Sequence, residues 1–428
     1  MNIIMRRIRG AGAALALALA VTACATLGAP KVADPAVSSL VKGDAVALGF
    51  DPAKLNDIRT ALNADVASGK IPGAYLVISR HGQVAFSEGF GVQGPGQTAP
   101  MTDETIFRVF SMTKPIVTVT AMTLVEEGKL SVDDPVSKYL PEYANLTVMQ
   151  PDGSTKPAQT PMLVKHLMAH TSGIIYGFIQ PNSPLGKMYA AAGEGDPSKT
   201  AREQARIFAS LPLAAEPGTA WNYSRSTDVL GAIVEVVSGK PLDVAVKERV
   251  TGPLGMTDTD FFQPATKSAR FAQSKTQDPL YYDYTVRVPF LQGGGGISST
   301  PEDYIRFAEM LRNNGEYRGV RIIKKETLDR MRQAETNQAI RQKGLFFPAM
   351  QPAVANSMEF GLGFSLVTDD TKQRPGNGTF SWNGIAGTEF WVDPKNDLVM
   401  AFFIQDRALL AEYQRKNRTW IYDALVKP

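Results

Sequence analysis

The chain has one cysteine and three histidines in 428 residues. A lone cysteine, Cys24, excludes an internal disulfide, so the fold rests on its core and not on cross-links. Three histidines leave little room for a Ser-His-Asp hydrolase, and no Gly-x-Ser-x-Gly elbow occurs anywhere. His81 sits in an expected hairpin turn and reads as a solvated turn residue. His166 and His170 lie four apart, on one face of an expected helix. No His-Glu-x-x-His accompanies them and no third ligand can be named, so a capping or core hydrogen-bonding role fits better than a metal. Charge of one sign is also lacking: 45 Lys and Arg face 42 Asp and Glu, net +3 and spread along the chain. Nothing there points to nucleic acid. The only sustained apolar run near the start, Ala11 to Ala23, is too short to span a membrane comfortably.

What is present is ample core material: 44% of residues are hydrophobic and 20% charged. That is an ordinary globular balance, and the length admits two or three domains or subdomains. At the N-terminus, Arg6, Arg7 and Arg9 precede the short apolar run, as in a signal peptide. Val21-Thr22-Ala23-Cys24 resembles a bacterial lipobox, which implies cleavage before Cys24 and lipidation of its thiol. Residues 1–23 are thus expected to be a lipoprotein signal peptide and 24–49 a tether. The expected location is the bacterial cell envelope, lipid-anchored and facing the periplasm.

Periodicity organises the rest. Leu55, Ile58, Leu62 and Val66 predict a helix over 52–68 with Asp51 as its cap. Residues 74–80 and 84–89 read as a hairpin turning at His81-Gly82. Helices are expected over 116–127, 163–169, 200–210, 226–237, 301–311 and 409–426, and residues 181–198 read as a long loop. Strands are expected at 360–367, 387–392 and 398–405. Strands at both ends with helices between them argue for an α+β fold with an antiparallel sheet. The sheet domain is expected over 50–110 and 330–428, and a mainly helical subdomain over 111–329.

Chemistry centres on Ser111-Met112-Thr113-Lys114. At a helix start, Ser111 and Lys114 share a face one turn apart, within reach of each other, and the helix N-terminus offers N–H groups to a developing oxyanion. Ser-x-x-Lys alone is weak, since Ser39 to Lys42 repeats it in the tether. A Ser/Lys pair needs a third group to move protons. Tyr143-Ala144-Asn145 and Tyr223-Ser224-Arg225 compete for that role. Tyr223 follows a Pro-Gly turn and precedes a helix, a position suited to a site edge, whereas Tyr143 reads as packing at a helix exit. A nearby lysine ammonium is expected to favour its phenolate.

Ser111 to Lys114, His170-Thr171-Ser172-Gly173, Tyr223-Ser224 and Trp382-Asn383-Gly384-Ile385-Ala386-Gly387-Thr388 occur in that order. Together they resemble the serine β-lactamase and penicillin-binding-protein superfamily, closest to its family VIII carboxylesterases, from about Phe50 to the C-terminus. The resemblance implies a β-lactamase-like fold, an antiparallel sheet flanked by helices plus the helical subdomain, with the site between them. It implies Ser111 as nucleophile, Lys114 as its activating partner and Tyr223 as proton relay. It implies an oxyanion hole from the N–H groups of Ser111 and Ile385, with Trp382 and Gly384 at the substrate and no cofactor. Two departures stand out. Arg225 takes the place of the asparagine that class C β-lactamases carry two residues after the tyrosine. Trp382 replaces the Lys or His that usually binds a substrate carboxylate, and an indole offers only a broad apolar face. The expected activity is a carboxylesterase acting on small neutral esters. A D-alanyl peptidase or weak β-lactamase, and a non-catalytic cell-wall-binding lipoprotein, are the alternatives.

Overall fold

A computed structural model describes residues 41–276, 283–344, 358–369 and 376–426; the expected signal peptide, Cys24 and Ser39 lie outside them. An eight-stranded sheet forms the frame. Its strands are β1 (Val41–Lys42), β2 (Gly73–Arg80), β3 (Gln83–Gly91), β4 (Met358–Phe360), β5 (Ser365–Val367), β6 (Phe380–Asn383), β7 (Glu389–Asp393) and β8 (Leu398–Phe403). Their order is β1-β3-β2-β8-β7-β6-β5-β4, antiparallel except for the β1–β3 edge pair. Chain-distant segments meet at its centre, where Leu76 of β2 pairs with Phe402 of β8.

Alternation along the strands sends side chains to two faces. Leu76, Ile78, Met400 and Phe402 join one core with helix α1 (Pro52–Ala67) and the closing helix α8 (Leu410–Ala424). Tyr75, Val77, Ala401 and Phe403 join a second core that runs on into the helices. Helix α7 (Pro301–Arg312) packs on this second face against β8, β7 and β2, although its residues fall within the span expected for the helical subdomain. With helices on both faces, every residue of β2 is buried.

Most local signals act as read. Asp51 caps α1 by accepting from Ala53 N at 2.8 Å. Thr200 and Glu203 form a reciprocal capping box on helix α5 (Ala201–Ala209). Gly239 ends helix α6 (Ser226–Ser238) in the left-handed conformation. Three expectations need correction. The segment expected as a loop over 181–198 contains helix α4 (Pro184–Ala191), started by the Ser183 cap and Pro184. The single strand expected over 360–367 is two, β4 and β5, because Gly361 and Gly363 turn the chain and Gly363 has φ +85° against the Thr118 side chain. The end of the expected tether is ordered: β1 pairs with β3, and Leu48 and Phe50 are buried in the core with α1.

The nucleophile motif opens helix α2 (Thr113–Glu126), preceded by a tight turn over Phe110–Met112. Eleven of its fourteen residues are buried, and two of its buried threonines bond back to their own helix, Thr118 Oγ1 to Lys114 O at 2.8 Å and Thr120 Oγ1 to Ile116 O at 2.9 Å. That satisfies the hydroxyls inside an apolar core. Helix α6 packs along α2 and brings the Tyr223 loop with it.

Candidate active site

Ser111 occupies a strained turn. Phe110, just before it, has φ +43°, a region that non-glycine residues rarely adopt. The turn is pinned on two sides: Val109 N donates to Ile297 O at 3.2 Å, and Tyr304 OH donates to Met112 O at 2.9 Å.

Lys114 is 1% exposed. Its Nζ lies 3.2 Å from Ser111 Oγ, 3.1 Å from Tyr176 OH and 2.5 Å from Gly294 O. Burial lowers its pKa to about 7, against a partial upward pull from Asp228, with Arg225 adding to the fall. The amine is therefore available as a neutral base near neutral pH.

Tyr223 reaches the same point. Its hydroxyl hydrogen-bonds Ser111 and accepts from Trp382 Nε1 at 3.4 Å. The rings of His170, Tyr176 and Trp382 enclose it at centroid distances of 4.8, 5.3 and 5.3 Å. This enclosure pushes the phenol upward, which reverses the expected bias to phenolate. Desolvation outweighs the downward pull of the hydrogen bonds with Ser111 and Trp382, and Asp228 adds to the rise. Tyr143 is elsewhere: it is buried in the helical core, and its hydroxyl donates to Ala205 O at 2.9 Å.

Trp382 has two roles. Its face lines the cleft and packs edge-on to Phe360 at 5.1 Å, while its N–H steadies the Tyr223 hydroxyl. Ile385 lines the cleft together with Ser111. Gly384, expected at the substrate, instead packs beneath the nucleophile turn: a Cβ there would stand 2.3 Å from Val109 O and 2.4 Å from Thr388 Oγ1. The two paired histidines serve structure. His166 Nδ1 accepts from Leu163 N at 3.1 Å, and buried His170 meets Ser224 Oγ at 3.1 Å. No cluster of three metal-ligating side chains occurs among the described residues. His81 stands at its turn with Asp397 at 2.7 Å.

Sequence reasoning missed Tyr176. It follows the His170-Thr171-Ser172-Gly173 motif by three residues but belongs to no tyrosine motif, and its contact with Lys114 spans 62 positions. Arg225, noted only as a departure, turns away from Lys114. Its guanidinium stacks 5.0 Å over the Tyr176 ring and pairs with Glu194 at 2.9 Å.

These groups border a cleft of about 990 Å³. Its walls mix Phe110, Phe178 and Trp382 with polar groups near Ser111. Apolar walls with a few convergent polar groups are the usual form of a small-molecule site.

The β-lactamase family model matches residues 58–423. The esterase EstB of Burkholderia gladioli is 30% identical over 358 residues, covering 76% of this chain and 83% of the esterase. Lovastatin esterase of Penicillium rubens is 28% identical over 398 residues, covering 85% of this chain and 97% of that enzyme. Among solved structures, EstCE1, a hydrolase with promiscuous acyltransferase activity, superposes with a TM-score of 0.72 at 25% identity, covering 89% of this chain and all of that one. The chain therefore belongs to the β-lactamase family and is a serine hydrolase of that fold.

Proposed function

We propose that the protein is a carboxylesterase that works through an acyl-enzyme on Ser111. The observation that carries this reading is the neutral-tending Lys114 amine, 3.2 Å from the serine hydroxyl. Lys114 takes the Ser111 proton as Oγ attacks the ester carbonyl. The N–H groups of Ser111 and Ile385 receive the oxyanion. As the tetrahedral intermediate collapses, the C–O bond to the alcohol breaks and Tyr223 hands the alcohol a proton drawn from Lys114. Water then enters by the reverse path: Tyr223 and Lys114 take one of its protons, its oxygen attacks the acyl carbon, and Ser111 leaves with its proton restored.

The named esterases among the relatives support an ester substrate. Trp382 supports a neutral one. A substrate carboxylate packed against the indole gains no charge pairing from position 382, where relatives usually hold a cation. The cleft has room for acyl groups well beyond a short one.

Intact mass spectrometry tests this after mixing with p-nitrophenyl butyrate and, separately, with a penicillin. The expected result is a transient butyryl adduct that Ser111→Ala abolishes, with little penicilloyl adduct. A stable penicilloyl adduct and no turnover of the ester would favour the peptidase, and no adduct with either would favour a binding protein.

A further inference from the structure

Three buried charges beside the site have no part in the steps above. Asp228, in the first turn of α6, has a side chain only 1% exposed; Glu194 is at 4% and Arg225 at 10%. Arg225 Nε pairs with Glu194 Oε1 at 2.9 Å, and its Nη1 lies 3.5 Å from Asp228 Oδ2 and 3.4 Å from Gln292 Oε1. One guanidinium thus meets two carboxylates, and of the two it is Asp228 that acts on Lys114.

The link to Lys114 runs through one glycine. Gly294 N donates to Asp228 Oδ1 at 2.9 Å, and Gly294 O accepts from Lys114 Nζ at 2.5 Å. A Cβ at position 294 would stand 2.9 Å from Tyr176 OH and 3.0 Å from Asp228 Oδ2, so the turn has no slack there. Three residues on, Ile297 N donates to Thr113 Oγ1 at 3.0 Å. The segment from Gln292 to Ile297 is thus strapped across the start of α2, fastened by Asp228 at one end and Thr113 at the other.

We propose that Asp228 is a positioning residue for the base: it fixes the Gly294 carbonyl that receives Lys114, and its carboxylate, held by Arg225, balances charge on that amine. This takes up the place where the sequence departs from Tyr-x-Asn. Arg225 anchors the carboxylate that reaches Lys114 through the Gly294 peptide. The inference rests on the reading of Lys114 as the base of Ser111.

The other groups facing Lys114 are Ser111 on its own element, Tyr176, Tyr223 and His170. Burial raises both phenols and drops His170 far below its ordinary range, so all three are neutral near pH 7. Among the described residues, the charges that act on the amine are those of Asp228 and Arg225. Asp228 favours the ammonium and Arg225 disfavours it.

The test is the pH profile of kcat/KM for p-nitrophenyl butyrate hydrolysis in the wild type, Asp228→Asn and Arg225→Gln, with Lys114→Ala as reference. The wild type is expected to lose activity below a limb near pH 7. Asp228→Asn should move that limb to lower pH by about half a unit to one unit, because the ammonium loses its counter-charge. Arg225→Gln should move it to higher pH. A merely structural role would lower activity at every pH and leave the limb in place. An unmoved limb in folded variants, or shifts of one sign in both, overturns the inference while leaving the esterase reading intact. Should Asp228→Asn not fold, as judged by its circular dichroism, the Arg225→Gln limb decides alone. Absent turnover in the wild type, or turnover that survives in Lys114→Ala, overturns both readings together.

Discussion

A free lysine, with a pKa near 10.5, is neutral about once in three thousand molecules at pH 7. Lys114, held near 7, is neutral about half the time. The gain in usable base comes from burial inside α2, and so from the apolar run that follows Pro115. The pairing was legible, since Ser-x-x-Lys at the start of a mostly apolar helix puts the two side chains on one face; the lowered pKa of the amine was not, because the sequence suggested an ammonium beside the tyrosine. The tyrosine choice was legible too, from the loop context of Tyr223 against the packed context of Tyr143. Tyr176, the Trp382 N–H bond and the Arg225 pairing were not, because each is a contact between residues far apart in the chain. The two tyrosines give a clean comparison. Tyr223→Phe removes the hydroxyl between Ser111 and Trp382 and should cut kcat/KM for the butyrate ester by about a hundredfold to ten-thousandfold. Combining it with Lys114→Ala should cost little more than the worse single change, since the groups act as a unit. Tyr143→Phe loses one buried hydrogen bond to Ala205 and should lower stability by about 1 kcal/mol with turnover near wild type. Steady-state kinetics and a urea melt on each variant check this; a dead Tyr143→Phe beside an active Tyr223→Phe would exchange their roles.

Between elements, the hairpin from β6 to β7 keys the sheet to the nucleophile turn. Gly384 N donates to Thr388 O at 2.8 Å, and the bare Cα of Gly384 lets Val109 O sit where a side chain would be. Gly384→Ala forces at least one neighbour to move, and the rigid one is backbone two residues before Ser111. Overpacking of this kind costs about 1–3 kcal/mol. The expected outcome is a lower urea midpoint with a fall in kcat larger than the rise in KM, since the displaced turn carries the nucleophile. A variant with native kinetics would show the contact to be slack. The same hairpin explains which elements the sequence exposed. Helices α1 and α5 and the β2–β3 hairpin carry their own signals, a cap, a heptad-like apolar face, a two-residue turn, and were read correctly. Strand β6 spans four residues, Phe380 to Asn383, and owes its state to its neighbours: Trp382 pairs with Phe390 and Ser381 with Trp391. Helix α4 hid behind glycine, alanine and proline, although Ser183-Pro184 was a start signal in plain sight.

At the scale of the whole molecule, the proposed anchor and the proposed active site rest on different segments of the sequence. The site lies wholly within residues 110–418, in a body whose first strand is Val41–Lys42 at the sheet edge. Sixteen positions, 25 to 40, separate Cys24 from that strand. No helix among the described residues is long and apolar enough to cross a membrane. We propose that Val21-Thr22-Ala23-Cys24 directs lipidation of Cys24, the one cysteine in the chain. Cys24→Ser should then move the protein from the membrane fraction to the soluble fraction of its host. Because the thiol lies outside the body that holds Ser111, Lys114 and Tyr223, kcat/KM for the butyrate ester should stay within about twofold of the detergent-solubilised wild type, as expected for a change remote from the site. Fractionation, with ester turnover measured in each fraction, reads both outcomes at once. A wild-type protein already soluble in the periplasm overturns the anchor and leaves the enzyme reading untouched. A Cys24→Ser protein that stays with the membrane locates the attachment on the body, where the arginines of α8 would be the next residues to change.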